Sequence, residues 1–251
     1  MIPNHYQTLL NAKANGQKLL AVLIDPDKGN TDTWTTLALL ASANQVDLFL
    51  VGGSLMVHQQ LGACINTLKQ HSNIPVILFP GSPAQITPLA DGILLLSLIS
   101  GRNADLLIGQ QVQAAAALKQ SGLELLPTGY ILIDGGAPTT VSYISNTLPI
   151  PTNKPEIAAL TALAGEQLGL KLIYLEAGSG AKQPVSLETI AAVSGQITVP
   201  LIVGGGIRTG KAAYEACKAG ADVVVIGTAF EEEPNLLPEM AGAVKAGHKT
   251  T

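Results

Sequence analysis

The sequence predicts an α/β protein folded as a (β/α)₈ TIM barrel with an irregular or missing third helix. An open, doubly wound parallel sheet is the competing architecture. Three observations lead there. Eight short β-rich runs alternate with Ala/Leu-rich helical stretches from end to end. Most of these runs are apolar throughout, the pattern of parallel strands covered on both faces. The length of 251 residues matches the typical size of such a barrel. No repeat of fixed period and no low-complexity tract interrupts the chain, so residues 1–251 read as a single domain.

The first strand is expected at 19–25, followed by a helix whose Trp34, Leu37, Ala38 and Ala41 recur at helical spacing. A second strand at 48–51 leads to a helix after Ser54, and a third strand spans 75–79. The link 80–91 holds Pro80, Gly81, Pro83 and Pro88, too short and proline-rich for a regular crossover helix. Strand 92–97 precedes a helix from 106 to 120, and strand 125–134 precedes a helix opening at Pro155, a good first helical position. Between them, 135–154 contains GGAPTT and PIPTNKP and reads as an extended loop serving as a lid or interface element. Runs at 172–175, 200–203 and 223–226 complete the set, with Thr209 as helix N-cap after the seventh.

Composition narrows the function. Apolar residues make up 47% and charged residues 13%, which excludes disorder. Fourteen Lys and Arg against 18 Asp and Glu, with no basic cluster, argue against nucleic acid. Cys64 and Cys217 lie far apart without a CxxC, so neither a disulfide scaffold nor a zinc site is expected, and a cytoplasmic location is the simplest. The polar start lacks signal-peptide features, and no apolar run approaches the ~20 residues of a membrane span. A mean hydropathy of +0.34 is high for such a chain; buried parallel strands explain it, and an apolar ligand groove would add to it.

Chemistry concentrates at the strand ends. Tyr174 and Leu175 end the sixth strand and Glu176, Ala177, Gly178, Ser179 and Gly180 follow it; Gly204, Gly205 and Gly206 follow the seventh, and Gly227 and Thr228 the eighth. Glycines there bring backbone N–H groups to an anion without Cβ obstruction, beside helix N-termini, and loops seven and eight form the usual phosphate cradle of a barrel. One such run could be merely a tight turn; three in register favour phosphate. Residues 205–211 match GxxxxGK, but Ala212 replaces the hydroxyl that a nucleotide P-loop needs.

Asp25, in DPDK, could ligate Mg²⁺, act as a base, or simply bond its own turn. Ser54 could cap a helix or place a hydroxyl near a metal. Glu176, if it faces the barrel mouth, suits a general base, since burial raises its proton affinity; pairing with Arg208 is the weaker alternative. His5, His58, His71 and His248 fall at none of these strand ends, so no Ser/His/Asp triad is supported.

In order, DPDK (25–28), GGS (52–54), YLEAGSG (174–180), GGGIR (204–208) and GT (227–228) resemble the geranylgeranylglyceryl phosphate synthase family, over essentially the whole chain. The longer excursion after the fifth strand is similar to the family's second group, which includes bacterial members. The resemblance implies an ether-forming transfer of a polyprenyl group, geranylgeranyl in the simplest case, from its diphosphate to sn-glycerol 1-phosphate, with release of diphosphate. It implies Mg²⁺ held by Asp25 and Ser54, and Glu176 as the catalytic residue. Glycerol phosphate would be surrounded by Tyr174, Leu175, Glu176, Ala177, Gly178, Ser179, Gly180, Gly205, Gly206, Gly227 and Thr228. A homo-oligomer, with a dimer favoured, is expected. Another phosphate-binding barrel enzyme, such as a sugar-phosphate isomerase or an indole-glycerol-phosphate type synthase, is the alternative, with Asp25 and Asp134 as acid–base candidates.

Overall fold

A computed structural model describes residues 4–227 and 233–248. Eight parallel strands close in sequence order: β1 (Leu19–Ile24), β2 (Leu48–Val51), β3 (Val76–Leu78), β4 (Gly92–Leu98), β5 (Glu124–Leu132), β6 (Leu172–Glu176), β7 (Leu201–Gly204) and β8 (Val223–Ile226). β8 pairs with β1, so no strand edge is left open. The barrel, rather than the open sheet, is the architecture.

Strand alternation divides the core in two. Val22, Ile24, Phe49, Val51, Ile131, Ile173, Leu175 and Val203 point outward and pack under the helices. Ala21, Leu50, Ile77, Leu94, Leu126, Leu172, Ile202 and Val225 fill the interior. Both faces are therefore apolar, which is why the strands read as continuous hydrophobic runs.

α1 (His5–Ala14) was not evident in the polar start of the chain. Its Leu9 and Ala12 join the interior cluster at the N-terminal end of the barrel. Glu124 anchors it, accepting from the His5 and Tyr6 N–H groups at 2.7 and 2.9 Å. Beside it, Asp222 is buried, bonded to Lys13 at 2.7 Å and Lys18 at 3.2 Å, and accepts the Leu201 N–H. This end of the barrel is built for stability.

α2 (Thr31–Ala43) buries Trp34, Leu37, Ala38 and Ala41 as expected. The helix expected after Ser54 is α3 (Leu61–His71), but its N-cap position is Gln60, so Ser54 does not cap it. The reason lies in the first loop: the Asp27 carboxylate accepts from the Val57 and His58 N–H groups and holds that stretch irregular. Between β3 and β4 the crossover helix is replaced by a 3₁₀ turn, Pro83–Gln85. A π-helical turn, Asp105–Gly109, opens α4 (Gln110–Ser121).

The 135–154 excursion is not an open loop. It contains α5 (Thr140–Ser145), whose capping box pairs Thr139 with Ser142, and a bridge between Ile133 and Ile150 ties its far end to the barrel. α6 (Pro155–Gln167), α7 (Leu187–Ser194), α8 (Gly210–Ala219, capped by Thr209) and α9 (Leu237–Ala246) complete the outer layer. Cys64 and Cys217 are both buried and unbonded. Among the described residues no helix is long and apolar enough to cross a membrane.

Candidate active site

Alternation along β6 turns Tyr174 and Glu176 inward and leaves Ile173 and Leu175 outward. Glu176 ends the strand at the C-terminal mouth, only 5% exposed, and its Oε1 accepts the Gly178 N–H at 2.6 Å. Burial pushes its carboxyl from 4.5 to about 7, against the opposing pull of the Gly178 N–H and the Tyr174 and Tyr130 hydroxyls. A carboxyl balanced near neutrality in a cavity is suited to proton transfer. Burial, and then the charge of Glu176, raise both phenols well above their ordinary value, so they stay protonated. The Tyr174 hydroxyl is electrostatically coupled to Glu176, yet it meets no partner at hydrogen-bond geometry.

Glycine makes this packing possible. A Cβ on Gly204, which pairs with Glu176 in the sheet, would stand 2.4 Å from the Tyr174 hydroxyl. Gly205 adopts φ +83°, and a Cβ there would lie 2.4 Å from Glu176 Oε1 and 2.6 Å from Gly178 N. The loops after β6 and β7 thus approach more closely than any side chain permits.

The mouth encloses about 1210 Å³ of space, part of it open to solvent. It brings together Asp25, Ser54, Tyr174, Glu176, Gly178, Ser179, Gly180, Gly205, Gly206 and Gly227. Two expected members are displaced: Leu175 and Ala177 turn their side chains into the outer core under the helices and do not line the cavity. Thr228 lies outside the described residues. None of the four histidines lines the mouth, and neither does Asp134, whose Oδ1 accepts the Gly136 N–H.

The structure adds residues that sequence reading did not assign. Lys28 of the DPDK motif, and Arg208 of GGGIR, considered in the sequence only as a partner for Glu176, bring cations to the lining. Phe79 directly follows β3, Tyr130 lies on β5, and Thr140 and Val141 open α5. Tyr130 is the sheet partner of Tyr174, a placement that only strand register reveals.

Asp25 caps the 26–28 turn, accepting the Asp27 N–H at 3.1 Å, so the turn role holds while the carboxylate still reaches the mouth. Lys28 lies 3.9 Å from its Oδ2. Across from it, a Cβ on Gly53 would stand 3.5 Å from the carboxyl carbon, next to Ser54. Among the described residues no group of three His, Cys, Asp or Glu could cage a metal. One carboxylate and one hydroxyl suit a Mg²⁺ ion bound largely through substrate phosphates and water.

Where the crossover helix between β3 and β4 is missing, a second cavity opens. It encloses about 960 Å³, part of it open to solvent, and its walls include Ile86, Ile93, Leu96, Leu106, Ala114 and Leu118. Gly53, Ser54, Phe79, Tyr130 and Val141 line both spaces, so the polar mouth runs directly into an apolar groove.

The PcrB family model matches residues 14–247. The chain belongs to the PcrB family. Its relatives include the geranylgeranylglyceryl phosphate synthase of Spirosoma linguale, 57% identical over 94% of this chain and 95% of that protein. The protein of the same name from Chitinophaga pinensis is 54% identical over 96% of each chain. Among solved structures, the (S)-3-O-geranylgeranylglyceryl phosphate synthase of Thermoplasma acidophilum, in complex with its substrate sn-glycerol-1-phosphate, superposes with a TM-score of 0.92. It is 32% identical, covering 97% of this PcrB-family chain and 99% of its own.

Proposed function

We infer that this protein is a geranylgeranylglyceryl phosphate synthase, a prenyltransferase that joins sn-glycerol 1-phosphate to a polyprenyl group through an ether bond. The observation that carries this reading is the union of two unlike spaces at one junction. A glycine-lined mouth holding Glu176 opens into an apolar groove at Phe79 and Tyr130. A single small sugar phosphate would need only the first; an isoprenoid diphosphate needs both.

Glycerol phosphate would lie with its anion against the backbone of Gly178–Gly180, Gly205, Gly206 and Gly227, the side of the barrel where phosphate is usually held. Its terminal hydroxyl would face Glu176, which takes the proton as the oxygen attacks C1 of the prenyl diphosphate. The C1–O bond to diphosphate breaks with its electron pair leaving on the diphosphate, and the new oxygen–C1 bond forms the ether. Asp25 and Ser54 would hold Mg²⁺ with the diphosphate, and that ion would neutralise the charge of the leaving group. The chain of the prenyl donor would run into the groove between β4 and α4, burying apolar surface at about 25 cal/mol per Å². With both reactants fixed, the collision becomes effectively unimolecular.

A homo-oligomer, most simply a C₂ dimer, belongs to the same proposal; exposed Tyr143, Leu148 and Leu160 are apolar surface that a second copy would cover. The isomerase-type alternative keeps Asp25 beside Glu176 in the mouth but loses Asp134, and it leaves the apolar groove without an occupant.

The test is direct. Purified protein is incubated with labelled sn-glycerol 1-phosphate, Mg²⁺ and prenyl diphosphates of several lengths, and ether product is measured. Product that requires both substrates is expected; none at any length refutes the reading.

A further inference from the structure

We propose that the ring of Phe79 faces the reacting allylic carbon and stabilises the positive charge that develops there as diphosphate departs. This rests on the prenyl-transfer reading above and assigns a residue that neither the motifs nor the glycine loops indicate.

The argument is one of position. The diphosphate belongs to the mouth, on the Asp25 and Ser54 side, and the isoprenoid tail belongs to the groove. The bond that breaks therefore lies at the junction between them. Five residues line both spaces: Gly53, Ser54, Phe79, Tyr130 and Val141. Gly53 and Val141 offer nothing that stabilises a cation. Ser54 stands with the diphosphate. Of the two aromatic rings, Tyr130 is only 6% exposed and its hydroxyl serves Glu176, whereas Phe79 is partly exposed between the two spaces. Phe79 therefore offers the more accessible ring at the junction.

Its ring is also held in place before any substrate arrives. Tyr174 stacks on it at 5.3 Å between centroids and 8° between planes. Tyr130 meets it at 5.8 Å and 66°. Phe79 is nonetheless only partly buried, consistent with its share of both cavities. Behind the stack, Tyr174 and Tyr130 border the Glu176 carboxylate, so negative potential extends across this side of the junction. A cation within about 6 Å of an aromatic centroid is attracted by the negative face of the ring. A ring already fixed by its neighbours gives that stabilisation without reorganising during the reaction.

The step balances. The C1–O bond breaks and its electron pair leaves with diphosphate. The positive charge spreads over the allylic C1 and C3, beside the ring. A lone pair of the glycerol oxygen then forms the ether, and its proton passes to Glu176. Phe79 exchanges no atoms or electrons.

The experiment replaces Phe79 with phenylalanines carrying one, two or three ring fluorines, which nearly preserve shape while draining the negative face. The single-turnover rate with geranylgeranyl diphosphate is expected to fall stepwise, about tenfold by the third fluorine, or ~1.4 kcal/mol. KM for each substrate and the melting temperature should stay unchanged. F79W, which keeps a π face, should retain most of the rate, and F79L should lose at least as much as the trifluorinated ring. A flat rate across the fluorine series overturns the proposal. A fall matched by a proportional rise in KM also overturns it, because the ring would then only bind the substrate. An active wild type with a flat series removes the role of Phe79 alone. A wild type that forms no ether removes the prenyl-transfer reading and this proposal with it.

Discussion

Replacing Glu176 with Gln tests the centre of the mechanism, because one substitution makes opposite predictions for stability and activity. Each pKa unit corresponds to about 1.4 kcal/mol. The rise of Glu176 from 4.5 to about 7 therefore means that its ionised form costs the fold about 3 kcal/mol. In the unfolded chain this carboxyl ionises near 4.5, and in the folded chain near 7. Its favourable contribution is fully present below 4.5 and is lost as pH rises through 7. Gln does not titrate, so the stability of E176Q relative to wild type should climb by about 3 kcal/mol between pH 4.5 and 8 in chemical denaturation without substrate. Over the same range the wild-type rate should rise and level off above pH 7, since only the ionised carboxylate accepts a proton. E176Q should lose this limb and about 10²–10⁴ in kcat, the usual size of general-base catalysis. A shallower limb near pH 6 should persist in E176Q, because the substrate phosphate itself ionises there. Glycerol phosphate affinity, measured by calorimetry, should change by only a few-fold. A pH-independent stability difference would show that burial does not raise this carboxyl. Equal losses in kcat and affinity would make Glu176 a binding residue.

Four further outcomes follow from the same geometry. D25N should raise both the Mg²⁺ requirement and the KM for prenyl diphosphate by about tenfold or more while leaving glycerol phosphate affinity intact, measured by metal titration of the initial rate. G205A places a methyl group 2.4 Å from Glu176 Oε1 at a positive φ, so it should weaken glycerol phosphate binding and cost about 1–2 kcal/mol of stability from the backbone alone. A114F fills the groove wall between α4 and β4 and should shift products toward shorter prenyl chains, read by mass spectrometry, with glycerol phosphate binding unchanged. D222A strands the buried Lys18 ammonium at the far end of the barrel and should cost about 3–5 kcal/mol by denaturant titration. The rate of D222A per folded molecule should be unaffected, because Asp222 is remote from the mouth.

The barrel itself was legible in the sequence for a simple reason. Strands covered on both faces need apolar residues throughout, and each of the eight expected runs overlaps a strand of the closed sheet. The gap after β3 was legible too, since Pro80, Pro83 and Pro88 deny a helix its backbone donors. Other elements rest on partners distant in the chain. α1 owes its position to Glu124, more than a hundred residues away, and the backbone at 57 and 58 owes its to Asp27. α5 escaped notice because glycines and prolines flank a capped helix of six residues.

Sequence by itself determined which residue types stand at the strand ends: a lone carboxylate in YLEAGSG, glycines where an anion needs bare backbone, and an aspartate after β1. Tertiary structure decided which of them share a space. Period-two alternation sends Leu175 into the outer core and Glu176 into the mouth, though they are neighbours in the chain. Strand register sets Tyr130 beside Tyr174, and the closure of β3 onto β4 brings Phe79 to the junction with the groove. The protonation of Glu176 is likewise a property of enclosure, because desolvation acts on a charge only once the surrounding chain has excluded water.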